Sequence, residues 1–214
     1  MDVRIKFNKI DEVKYISHLD LLRTFNRMLM RSGLKLSYSQ GYNPHILLTF
    51  AQPSSVGMAT KNDCADITLD GEYTKEEILE ALRKSSPCGI EITNVSFEKT
   101  PAFNEVASAC YTVNLKCNSR EDEINSFFEK EEILVDKKTK KGIREVDIKP
   151  LIYKYKIEKG NDEYILNLHL ASGSTSNLNP SLIKKAMEKY VDNFICEYYE
   201  ITRESLISES NIAY

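Results

Sequence analysis

The chain has 214 residues, enough for one large or two small domains, and its 42% hydrophobic and 29% charged residues are an ordinary balance for a soluble globular protein. No run approaches the roughly 18 to 20 apolar residues that cross a bilayer. The opening MDVRIKFNKIDEV alternates like a strand and lacks a signal peptide's apolar stretch, so a cytoplasmic protein without a membrane segment is expected.

In chain order, the alternation predicts a first strand over residues 3 to 8. Ser17 then caps a helix over 18 to 32, and Asp20 three residues on favours its positive N-terminus. Leu22, Phe25 and Leu29 define a buried stripe, whereas Arg23, Arg27 and Arg31 recur every four residues on a neighbouring face as a candidate anion track. Gly33 stops the helix, LKLSYS reads as a strand over 34 to 39, and a further strand follows over 46 to 51. Between them Gly41 permits a positive φ and Pro44 stiffens the chain, so Tyr42, Asn43 and His45 sit on a rigid polar loop. Turn chemistry alone also accounts for Gly41, Asn43 and Pro44.

Next come a strand over 65 to 70, a helix over 75 to 85 with Thr74 and Glu77 as its capping box, and a strand over 90 to 98. After a linker from Lys99 to Val106 the order repeats. A strand over 109 to 117 precedes a helix over 119 to 130 capped by Ser119. Strands over 132 to 137, 142 to 149, 152 to 158 and 163 to 171 follow, then a helix over 180 to 192 and a strand over 196 to 204. The expected architecture is α+β, with two ferredoxin-like (split β-α-β) modules at 1–100 and 107–205, antiparallel sheets, helices on one face of each, and a flexible tail at 206–214.

Charge is uneven beneath the net −3. From Lys14 to Thr60 five basic residues, Lys14, Arg23, Arg27, Arg31 and Lys35, face only Asp20, leaving that stretch at +4. A second basic block, Lys137, Lys138, Lys140, Lys141 and Arg144, lies in a polar turn, where lysines are ordinarily just solvated but where a phosphate could also be met. Ala171 to Ser176 leads into Asn179-Pro180, a cap and first helical residue; it lacks the lysine and spacing of a P-loop.

SHLDLLRTFNRMLMRSGL, YSQGYNPH and TFAQPSSVGM together resemble the signature of the radical-SAM-linked protein family. That domain of unknown function occurs alone or as a C-terminal extension of cobalamin-binding radical SAM proteins. GIREVDIKPLI is similar to the family's Gly-x-x-x-x-Asp-x-x-Pro segment, so the resemblance covers most of the chain. Asp63 stands where a glutamate is expected, and Tyr42 replaces a phenylalanine. The resemblance implies a radical SAM enzyme as partner and carries over no catalytic residue.

Five cysteines, at 64, 88, 110, 117 and 196, form no CxxC pair, so neither a zinc site nor a disulfide framework is suggested; they read as reduced and mostly buried. Without a closely spaced cysteine trio the chain does not hold the iron–sulfur cluster of a radical SAM enzyme. No cofactor is expected. His18 and Asp20 are two apart on a helix and face differently, which disfavours a metal site with His45. Three functions follow. The preferred one is a non-catalytic tRNA or rRNA recognition module serving a radical SAM enzyme, with Arg23, Arg27, Arg31, Lys35, Tyr42, Asn43 and His45 as its RNA-binding residues. The second is a protein-interaction scaffold docking on that enzyme without nucleic acid. The third is a metal-independent ribonuclease or RNA-modifying enzyme using His18 or His45.

Overall fold

The structure, a computed structural model, describes residues 1–139 and 142–214, so Lys140 and Lys141 of the second basic block lie outside the described residues. The fold is mixed α+β, with four α-helices among the described residues and antiparallel ladders. The chain divides into two compact units, Met1–Val106 with Ser205–Tyr214, and Ala107–Glu204.

The first unit runs β1 (Asp2–Lys9), a 3-10 turn (Asp11–Tyr15), α1 (His18–Arg31), β2 (Leu48–Phe50), β3 (Met58–Thr68), α2 (Lys75–Ser85) and β4 (Ile90–Ser96). Its strands lie in the order β4-β1-β3-β2, each neighbouring pair antiparallel. Val3, Ile5 and Phe7 share one face of β1 through the two-residue period of a strand. They pack with Leu21, Phe25, Met28 and Leu29 of α1 and Ile78 and Leu82 of α2, so both helices cover that face. The buried stripe of α1 therefore begins at Leu21; Leu22, expected in it, is only half-buried. The strand expected over 34–39 reduces to single bridges, Leu36 to Leu69 and Tyr38 to Ile46. The strand expected over 65–70 instead starts at Met58 and accommodates a register shift near Asn62, whose φ is +52°.

On the opposite face of β1, Arg4 is almost fully buried. Its guanidinium donates to both Asp66 oxygens (2.8 and 3.0 Å) and to the Pro101 carbonyl (2.7 Å), and it lies 4.2 Å from the Phe103 ring centroid. Tyr214 also stacks near it, 5.6 Å away, and donates its hydroxyl to the Ala102 carbonyl at 2.6 Å. This arrangement corrects two expectations. Residues 206–214 are not a free tail, because Tyr214 is buried in the first unit, and the stretch from Lys99 is packed around Arg4 and is no loose linker.

The second unit runs β5 (Val106–Cys117), α3 (Glu121–Glu129), β6 (Leu134–Thr139), β7 (Gly142–Asp147), β8 (Ile152–Lys159), β9 (Tyr164–Ala171), α4 (Pro180–Tyr190) and β10 (Cys196–Ser208), whose last four residues count with the first unit. Its main strands are ordered β10-β5-β9-β8, while β6 and β7 form a separate two-stranded ribbon. Ile124, Phe127 and Phe128 of α3 and Ile183, Ala186 and Met187 of α4 are buried. Ser119 does not cap α3 as expected. Arg120 occupies the cap position, and the Ser119 carbonyl accepts from the Tyr164 hydroxyl at 3.2 Å. No helix among the described residues is long and apolar enough to cross a membrane.

Candidate nucleic-acid interface

Two stretches of the first unit hold the residues singled out in the sequence: α1 and the segment that follows it. Ser17 caps α1 by accepting from the Asp20 backbone N–H at 3.2 Å, and its hydroxyl donates to the Asp20 carboxylate at 2.7 Å. Arg23 donates to the other Asp20 oxygen at 2.9 Å. The Ser17 hydroxyl, with Arg23 second, holds the Asp20 carboxyl below the usual carboxylate range. Because 3.6 residues make a turn, spacing by four keeps Arg23, Arg27 and Arg31 in one slowly drifting row, and all three are exposed.

Their partners differ along that row. Arg23 shares its charge with Asp20, whereas Arg27 makes no hydrogen bond or ion pair among the described residues. Arg31 donates to the Ser85 carbonyl at 2.8 Å, at the last turn of α2, a favourable place for a cation because helix carbonyls point outward there. Beside it lies a surface hollow of about 470 Å³ lined by Arg31, Ser32, Ala81, Lys84, Ser85 and Ser86. Each serine hydroxyl there already donates to a protein acceptor, so only the two cations remain to meet an anion.

Gly33, at φ +78°, turns the chain out of α1. Lys35 is exposed, and its backbone N–H donates to the Tyr73 hydroxyl at 3.0 Å. The loop beyond is closed by Ser39 and His45. The Ser39 N–H donates to the His45 carbonyl (2.8 Å), the His45 N–H donates to the Ser39 hydroxyl (3.1 Å), and that hydroxyl also meets His45 Nδ1 at 2.8 Å. His45 thus fastens the loop base. Tyr42 and Asn43 project from the closed loop, Tyr42 at 99% exposure, and Tyr38 on the same segment is 48% exposed.

His18, the first residue of α1, sets its ring edge-on to Phe50 at 5.5 Å, and its Nδ1 is buried without a protein partner. No hydrogen bond or ring contact joins it to His45, and no cluster of metal-ligating side chains occurs among the described residues.

Sequence reading missed a buried polar group at the far end of the same sheet. Lys9 is 1% exposed and donates to the Ser54 hydroxyl at 2.6 Å, Asp63 is 5% exposed, and Thr60 Oγ1 is buried with no partner. A lysine buried beside a serine needs hydrogen bonds to offset its lost hydration, and here it ties β1 to the loop after β2. The signal was present: Lys9 continues the parity of Val3, Ile5 and Phe7, which makes it a charge at a core position.

In the second unit the serine-rich stretch forms a tight turn, Gly173 N–H to Ser176 carbonyl at 2.8 Å, and Asn179 caps α4 by accepting from the Ser181 N–H at 3.0 Å. His169 lies opposite Cys110 and meets the Ser108 hydroxyl at 2.8 Å. Burial, helped by Lys154, holds its pKa below the usual histidine value.

A family model described as an uncharacterized protein conserved in bacteria (DUF2344) matches residues 3–180, and the chain belongs to that family. The description names neither partner nor activity, so the radical SAM association rests on the motif resemblance alone. No curated protein matches the chain. Among solved structures, a chain from the crystal structure of a Cbf5-Nop10-Gar1 complex is similar, with a TM-score of 0.55 at 10% identity over 95% of this chain and 48% of that one. The likeness is one of fold, and this chain spans about half the length of that protein.

Proposed function

We propose that this member of the DUF2344 family is a non-catalytic RNA recognition module that holds a tRNA or rRNA for a radical SAM modification enzyme. The contact surface is the arginine row of α1 with Lys35 and the loop carrying Tyr42, Asn43 and His45. Tyr42 carries the reading. A tyrosine ring left 99% exposed on a hydrogen-bonded loop adds nothing to folding, whereas stacking against an unpaired base contributes about 1–3 kcal/mol. Arg27, exposed and unpaired among the described residues, and its neighbours supply the sequence-independent phosphate attraction. We read each unit as a ferredoxin-like split β-α-β module, because β4-β1-β3-β2 and β10-β5-β9-β8 place the fourth, first, third and second main strands in the same order.

Filter binding of total tRNA and rRNA fragments tests the reading. Replacing Arg23, Arg27 and Arg31 together by glutamine should weaken binding at least tenfold while leaving the unfolding transition unchanged; equal affinity for both proteins rejects it. A second reading, docking on the radical SAM enzyme without nucleic acid, is favoured by Tyr15, Leu19 and Val56, each 62% exposed. Co-purification with a radical SAM protein that survives ribonuclease treatment, by a chain that binds no RNA, supports that alternative. The third reading, RNA turnover through His18 or His45, requires the pure protein to alter RNA, with loss of that activity in His18→Ala or His45→Ala.

A further inference from the structure

Cys117 ends β5 and Cys196 begins β10, and these strands are hydrogen-bonded neighbours. One backbone contact sets their register, and a side-chain ion pair agrees with it. The Asn118 N–H donates to the Ile195 carbonyl at 3.2 Å, with the Ile195 N–H returning to Asn118 Oδ1 at 2.8 Å. On the other side Lys116 Nζ reaches Glu197 Oε2 at 3.5 Å. In an antiparallel pair the Asn118–Ile195 backbone bond sets 118 opposite 195, which brings Cys117 opposite Cys196. Directly opposed residues of antiparallel strands have Cα atoms about 4.5–5.5 Å apart, inside the roughly 4.4–6.8 Å span of a disulfide. Both side chains are half-buried, so a small oxidant has access.

We propose that Cys117 and Cys196 form a redox site that peroxide closes to a cross-strand disulfide and thiols reopen. The Cys117 or Cys196 thiolate attacks one peroxide oxygen, the O–O bond breaks, and the departing hydroxide takes a proton to become water, leaving a sulfenic acid. The opposite thiolate attacks that sulfur, the S–S bond forms and the S–O bond breaks. The second hydroxide leaves as water with the other thiol's proton. One peroxide thus accepts two electrons from two thiols and yields one disulfide and two waters. Two equivalents of a small thiol reverse the change by exchange, themselves becoming a disulfide.

The remaining cysteines are placed differently. Cys64 is buried with its thiol pushed up to about 11 by that burial, Cys88 is exposed, and Cys110 is opposite His169. Burial also raises the Cys117 and Cys196 thiols, and since the thiolate is the nucleophile, oxidation at neutral pH is slow and is followed over hours.

The test treats the full chain with hydrogen peroxide, blocks remaining thiols under denaturing conditions with an alkylating reagent, and maps the products by mass spectrometry. The expected result is loss of two of the five alkylation sites, a 2-dalton mass decrease, a linked Cys117–Cys196 peptide, and restoration by dithiothreitol. Cys88→Ser and Cys110→Ser should retain the link, and Cys196→Ser should abolish it. A wild-type map with no such peptide, or with the loss at other cysteines, overturns the proposal whether or not any variant folds.

Discussion

The two units share a strand order and differ in the connection between their first helix and the next main strand. In the first unit that connection, residues 32–47, is an extended segment held by the Leu36 and Tyr38 bridges and closed by Ser39 and His45, with Tyr42 at its tip. In the second it carries the β6–β7 ribbon, where Lys137 faces Arg144 and Asp136 faces Glu145. Like charges directly opposite one another weaken a ribbon, and here Lys189 of α4 offsets one such pair by reaching Glu145 Oε1 at 3.3 Å. One strand plan therefore tolerates two unrelated elaborations at the same point, and the chemistry must be sought in the insertions and helix faces.

The sharpest way to break this separation of scaffold from surface is Phe25→Ala. Phe25 is wholly buried, with its ring 4.7 Å from Phe7 and 4.9 Å from Phe50. Its truncation should cost about 3–5 kcal/mol in urea unfolding, while Arg27→Ala, two positions away on the exposed side, should cost under about 0.5 kcal/mol. Comparable losses would mean that the arginine row belongs to the scaffold. Next in size is Asp66→Ala, which strands the buried Arg4 guanidinium and should cost about 3 kcal/mol; limited proteolysis should then release residues 205–214 sooner than in wild type.

Helix starts give a smaller contrast between the units. Thr74 and Glu77 form a reciprocal cap on α2, with Glu77 N–H to Thr74 Oγ1 at 3.2 Å and Thr74 N–H to Glu77 Oε2 at 2.8 Å. Arg120 on α3 offers no side-chain acceptor. Thr74→Ala should lose about 1 kcal/mol and Arg120→Asp should gain a few tenths, both read from the unfolding midpoint.

The smallest effect concerns His169. Burial, then Lys154, lowers its folded pKa, so the folded state prefers the neutral ring. That contribution is fully present above the unfolded value near 6.5 and is lost as pH falls through the folded value. Replacing His169 by Gln should flatten the acid limb of the melting temperature below pH 6.5 and leave it unchanged at pH 8.

Local signals made much of this legible. Ser17, Thr74 and Asn179 announced the starts of α1, α2 and α4 because caps are read within four residues. Ser119 misled because Tyr164, 45 positions away, claims its carbonyl and the helix starts one residue later. The alternation of LKLSYS was real as an extended chain, but only two bridges form, since β2 begins at Leu48 and lies along β3 instead. What sequence could not supply was long-range pairing: Arg4 with Tyr214, Lys9 with Ser54, and Cys117 opposite Cys196. The expectation of mostly buried cysteines failed for the same reason, for burial depends on which strands become neighbours, and only Cys64 is fully buried.

The most direct test of the RNA-binding reading is a titration with single-stranded tRNA and rRNA fragments across a salt series, comparing wild type, the triple arginine-to-glutamine variant of α1, and Tyr42→Ala. If three phosphates are neutralised, the slope of log affinity against log salt should become shallower by about 2 in the triple variant, near 0.7 per lost contact. Tyr42→Ala should weaken binding about fivefold or more at every salt concentration without changing the slope. Identical slopes and affinities for all three proteins would contradict the account and leave α1 and its loop as features of the fold alone.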